Sequence, residues 1–106
     1  MIPVPDDFWP LLYTNRARAI PVSGVLLHPL GTSHIEGTNS RKARKEAVVI
    51  TRISFTVLEE LTPEDAGACG LLGAGELEKE LRRQNPQIEP NSPVTLVYFR
   101  RQMEDR

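Results

Sequence analysis

The sequence predicts an α+β domain, a small β-barrel flanked by roughly two or three short helices, and three observations carry that reading. One is the strand-like run from Ala47 to Leu58. Another is the closing run Val94-Thr95-Leu96-Val97-Tyr98-Phe99, β-branched and aromatic, introduced by Asn91-Ser92-Pro93. The third is a pair of helical segments between those runs, the first opened by Thr62-Pro63-Glu64-Asp65 and the second running from Glu76 to Gln84.

Ahead of these elements, Phe8, Leu11 and Leu12 are spaced as one face of a short helix, with Pro10 breaking or delaying its first turn. Val25, Leu26 and Leu27 read as a short apolar strand ended by Pro29. From Gly31 to Lys45 apolar periodicity nearly vanishes, which predicts a long basic loop. In the run from Ala47, the odd positions Ala47, Val49, Thr51, Ile53, Phe55 and Val57 form one mostly apolar face. The even positions begin apolar at Val48 and Ile50, then turn polar at Arg52, Ser54 and Thr56. A strand buried on both faces at one end and on one face at the other suits a curved sheet closing on itself.

Thr62 can cap a helix with Pro63 in its first position and Asp65 reaching back, a capping box. Gly67 or Gly70 can end that helix in a left-handed conformation. In the next helix Leu77 and Leu81 share a face, Glu78 can pair with Arg82, and Asn85-Pro86 stops it. Phe8, Phe55 and Phe99 fall where core packing would want them. The tail from residues 101 to 106 reads as frayed.

A chain of 106 residues is expected to form one domain, and 40% hydrophobic with 25% charged residues is the balance of a globular one. The single cysteine, Cys69, excludes an internal disulfide and suits a reducing, cytoplasmic setting. The first residues lack the basic and apolar pattern of a signal peptide, and no apolar run is long enough to span a bilayer. A net charge of −1 argues against a uniformly basic protein. Yet Arg41, Lys42, Arg44 and Lys45 cluster, Arg52 follows on the next strand, and the acidic residues gather elsewhere, at Glu59, Glu60, Glu64, Asp65, Glu76, Glu78 and Glu80. Such segregation can give one positive face able to hold a phosphate backbone. The alternative is a solvated loop charged for solubility.

Other chemistries find little purchase. His28 and His34 have no third ligand nearby, so no metal site is expected. Neither histidine has an evident serine or cysteine partner in the sequence. Gly67, Gly70, Gly73 and Gly75 lack the Gly-Lys-Ser/Thr of a phosphate loop, and Glu76 would repel phosphate. Cys69 follows a helix rather than opening one, so nothing lowers its pKa. No cofactor motif is present.

The order of strand, "LTPEDA" helix, glycine, charged helix, Asn-Pro and closing "PVTLVYF" strand resembles the ASCH domain family, a branch of the PUA-like barrels, best over Ala47 to Arg100. The resemblance implies a barrel of about five to six strands, an association with RNA, and a cleft lined partly by the segment after the first helix. Arg16 and Arg18 would stand at its mouth. One enzymatic branch, acting on acetylated cytidine, uses a lysine, a threonine and a glutamate. The matching positions here are Ala17, Ile20 and about Cys69, with Asn15 at the family's glycine, and none of these can do that proton transfer. The family's Gly-Asp turn is replaced by the insertion from His28 to Lys45.

The leading expectation is therefore a non-catalytic RNA-binding module. Arg16, Arg18, Arg41, Lys42, Arg44, Lys45 and Arg52 would contact phosphates, and Trp9 or Tyr13 could stack a base. One alternative is a hydrolase of modified nucleosides or a ribonuclease on the same fold, with His34 as acid or base and Arg18 or Lys42 stabilising the phosphorane. Another is a protein-interaction domain, which the apolar replacements Ala17, Ile20 and Val22 would suit.

Overall fold

The computed structural model describes residues 2–4, 17–37 and 45–101. Its strands, in chain order, are β1 (Ile2–Val4), β2 (Ala19–Ser23), β3 (Gly31–Gly37), β4 (Lys45–Val57) and β5 (Pro93–Arg101). They form one sheet in the order β1-β3-β4-β5-β2. The last four pair antiparallel and curl into a half-barrel, while β1 joins β3 in parallel at one margin. The α+β class is as expected. The barrel of about five to six strands is not: among the described residues no ladder joins β1 to β2, and the sheet stays open.

The long strand β4 departs from the expected alternation. Val48 and Ile50 are fully buried, whereas Ala47 and Val49 are only partly so. The register explains this. Ile50 pairs with Phe99, but Arg52 pairs with Tyr98, so Thr51 is an extra residue and the ladder carries a bulge. Even positions face the core before the bulge and odd positions after it. The apparent two-sided burial is thus one buried face whose phase slips by one residue. That face carries Ile20, Ile35, Val48, Ile50, Thr95, Val97 and Phe99, all buried. Phe55 faces the same way but lies beyond the covered part, 53% exposed, and is not the core residue expected.

Two further expectations change. Residues 25–29 form no strand: Gly24 turns at φ 97°, Val25 and Leu27 are exposed, and the Leu26 N–H donates to the Thr95 hydroxyl at 3.0 Å. Half of the expected basic loop is β3, because pairing with β4 satisfies its backbone and the one apolar side chain that faces inward, Ile35, is fully buried. Residues 38–44 and the tail 102–106 lie outside the described residues, as does the segment holding Phe8, Leu11 and Leu12.

A 3₁₀ turn (Leu58–Glu60) leads from β4 to helix α1 (Pro63–Ala68), and helix α2 (Ala74–Gln84) precedes β5. The Asp65 N–H donates to Thr62 Oγ1 at 3.2 Å and the Thr62 N–H to Asp65 Oδ2 at 3.0 Å, closing the expected capping box. At the other end Gly70, at φ 78°, lets its own N–H reach the Gly67 carbonyl and the Leu71 N–H reach the Ala66 carbonyl, at 3.0 and 2.9 Å. This is a Schellman stop, one of the two glycine endings anticipated. Leu77 and Leu81 are fully buried, and Glu78 pairs with Arg82 at 2.7 Å. No helix among the described residues is long and apolar enough to cross a membrane.

The free margin of β2 is closed by a side chain. Gln84 Oε1 accepts from the Ser23 N–H at 2.9 Å, and Nε2 donates to the Pro21 carbonyl at 3.0 Å. A terminal amide thus offers the donor and acceptor that a neighbouring strand would.

Candidate nucleic-acid interface

The opposite face of the sheet divides in two. Beside β2 it is buried, with Ala19, Pro21, Val94 and Leu96 inside. Further across it is open, and there Arg52 and Tyr98 share a rung. The Arg52 guanidinium carbon lies 4.1 Å from the centre of the Tyr98 ring, a cation–π contact between an exposed arginine and a half-buried tyrosine. Alternation along β5 brings the exposed Arg100 to the same face, two residues on and opposite Val49. On β3, exposed Thr32 stands across from Val49 and exposed His34 across from Ala47. The same alternation carries this face on to Glu36 of β3, opposite Lys45 at the start of β4.

Of the residues proposed from the sequence, Arg52 lies in this strip. Arg18 is also exposed and immediately precedes β2. Its carbonyl accepts from the Phe99 N–H at 3.0 Å and its own N–H donates to the Ala68 carbonyl at 2.6 Å. It therefore stands one rung from Tyr98, on the other side of β5 from Arg52. Neighbouring rungs present opposite faces, so the register does not put Arg18 on the Arg52 strip. Lys45 begins β4 opposite Glu36. Arg16, Arg41, Lys42, Arg44, Trp9 and Tyr13 lie outside the described residues.

Sequence reasoning alone misses Tyr98 and Arg100 as site residues. The alternation of β5 was the available signal, since it puts both on one face, but their proximity to Arg52 follows from the bulge. At the positions matching the enzymatic branch, Ala17 is 6% exposed and Ile20 and Cys69 are fully buried. Burial, then the nearby carboxylates of Asp65 and Glu80, push the Cys69 thiol up to about 12, so it stays protonated at neutral pH. Among the described residues no three His, Cys, Asp or Glu side chains gather as metal ligands would.

A shallow cleft of about 380 Å³ opens elsewhere, lined by Leu71, Glu76, Lys79, Glu80 and Arg83. Glu80 there is engaged by Arg83 and by Gln84 Nε2, the latter at 3.2 Å. Its lining mixes both signs of charge and is unsuited to a polyanion.

No family model matches this sequence, and no curated protein does. Among solved structures the fold is similar to that of protein EF3133 from Enterococcus faecalis V583, assigned to the family model DUF984, with a TM-score of 0.59 and 15% sequence identity. The likeness covers 86% of this chain and 64% of that one, so this chain spans less than two thirds of the length of EF3133. At that identity the relationship is one of fold: a small α+β domain with a curled sheet.

Proposed function

We propose that this domain binds RNA across the open strip of its sheet, as a PUA-like module of ASCH type without the family's catalytic set. The observation that carries the reading is Arg52 stacked on Tyr98 on an exposed face, with Arg100 beside it. Tyr98 backs the guanidinium, whose outer plane offers a stacking surface for an unpaired base. Arg100 adds charge for flanking phosphates, and the cluster Arg41, Lys42, Arg44 and Lys45 belongs to the same reading, whereas Arg18 faces away from the strip and is left out of it. The hydrogen bond from Arg18 to the end of α1 supports the family resemblance, which implies that these two segments meet. A buried, reduced Cys69 accords with a cytoplasmic setting.

Fluorescence anisotropy with a labelled single-stranded RNA, titrated at several salt concentrations, tests this. About 3 to 6 phosphate contacts predict a log–log salt slope of roughly −2 to −4. Replacing Tyr98 by Leu, which keeps bulk but removes the stacking partner, should weaken binding about 5- to 100-fold. Binding that is absent at low salt, or indifferent to Tyr98→Leu and Arg52→Ala, overturns the proposal.

A further inference from the structure

The connection from β2 to β3 brings a serine and a histidine together, a pairing the sequence did not suggest. Ser33 Oγ lies 3.1 Å from His28 Nε2, and His28 Nδ1 lies 2.7 Å from the Pro29 carbonyl oxygen. A carbonyl oxygen can only accept, so Nδ1 carries the hydrogen. In the neutral ring Nε2 is then a free acceptor, and the Ser33 hydroxyl donates to it. Nucleophile, base and orienting group thus stand in the order that acyl-transfer sites use. Both side chains are half-buried, shielded from bulk water yet reachable.

We propose that Ser33 and His28 form a nucleophile–base pair that takes small acyl groups from uncharged esters. The substrate class follows from the surroundings. Residues 24–31, Gly-Val-Leu-Leu-His-Pro-Leu-Gly, contain no formally charged side chain. Leu27 and Leu30, on either side of His28 in the chain, are 80% and 62% exposed and offer apolar contact. Gly31, two residues before Ser33, leaves open space: a Cβ placed there would meet nothing within 4 Å.

In the step itself, Ser33 Oγ bonds to the ester carbonyl carbon as its proton passes to His28 Nε2. The tetrahedral adduct collapses by breaking the bond from carbon to the leaving oxygen, which takes the proton back from His28. Water, deprotonated by the same Nε2, then attacks the acyl-serine carbonyl; the bond from carbon to Ser33 Oγ breaks, Oγ takes the proton back from His28, and the acid leaves. The group behind the imidazole is a neutral carbonyl, which orients the ring without neutralising an imidazolium. Activated esters with good leaving groups are therefore the substrates expected. The pair shares no residue with the RNA strip, so neither proposal depends on the other.

The test is labelling of the intact protein with a fluorophosphonate, mapped by peptide mass spectrometry, alongside hydrolysis of 4-nitrophenyl butyrate. Modification should fall on Ser33 in preference to Ser23, Ser54 and Ser92. His28→Asn, which can still hydrogen-bond but cannot act as base, should slow both reactions about 100-fold. Ser33→Ala should abolish ester turnover. Circular dichroism and the urea midpoint of each variant establish that the fold is kept. Should either variant fail to fold, the site of labelling in the wild-type protein decides. Absence of Ser33 labelling, labelling no faster than at the other serines, or unchanged rates in folded His28→Asn overturns the assignment.

Discussion

The Thr95 hydroxyl donates to the Gly24 carbonyl at 2.7 Å, joining positions 71 residues apart. The same oxygen accepts from the Leu26 N–H, so a single buried side chain fixes the start of the connection between β2 and β3. Replacing Thr95 by Val keeps its shape but leaves both backbone groups to find other partners. We expect a loss of about 1 to 2 kcal/mol in urea unfolding. Hydrogen exchange at the Leu26 amide should accelerate selectively, whereas Thr95→Ser should preserve protection. If Thr95→Val leaves exchange unchanged, the clamp does not hold this loop.

Gln84 contributes through the margin of β2. Its replacement by Leu removes one donor and one acceptor from a partly solvated edge, for about 1 kcal/mol. The Ser23 amide should then exchange faster, while amides of β4 stay protected. Equal acceleration throughout the sheet would indicate general destabilisation rather than an edge contact.

Cys69 makes stability depend on pH in the alkaline range. The folded thiol titrates near 12 against an ordinary 9.0, so between those values the native state holds a proton that the unfolded chain releases. The contribution is whole below about pH 9 and declines as pH rises towards 12. At pH 10 the decline should amount to about 1 kcal/mol. Comparing urea midpoints at pH 8 and 10 in the wild type and in Cys69→Ala isolates it from other alkaline titrations, because the variant lacks this component. Identical slopes in the two proteins would sink the explanation.

Local chemistry was the most legible part of the sequence. Thr62 and Asp65 form their capping box, Gly70 ends α1, and Leu77 with Leu81 is buried, because each depends on residues within one or two turns. Long-range pairing was not legible. Strand β3 presents a single buried aliphatic side chain, Ile35, and draws its order from the ladder with β4. The bulge at Thr51 has no compositional mark, since threonine suits an ordinary strand position. Yet that extra residue creates the candidate interface. If pairing continued unbroken from Ile50 and Phe99, Thr51 would meet Tyr98, and Arg52 would stand opposite Val97 on the buried face.

The margins of the sheet narrow the ways another molecule can dock. One ends in a three-residue strand whose middle residue, Pro3, has no amide hydrogen to donate. At the other, the carboxamide of Gln84 occupies the Ser23 and Pro21 positions that an incoming peptide would need. Extended polypeptides, including unfolded copies of this chain, thus meet few vacant backbone groups there, which guards against fibrillar stacking while leaving the broad arginine-bearing surface accessible.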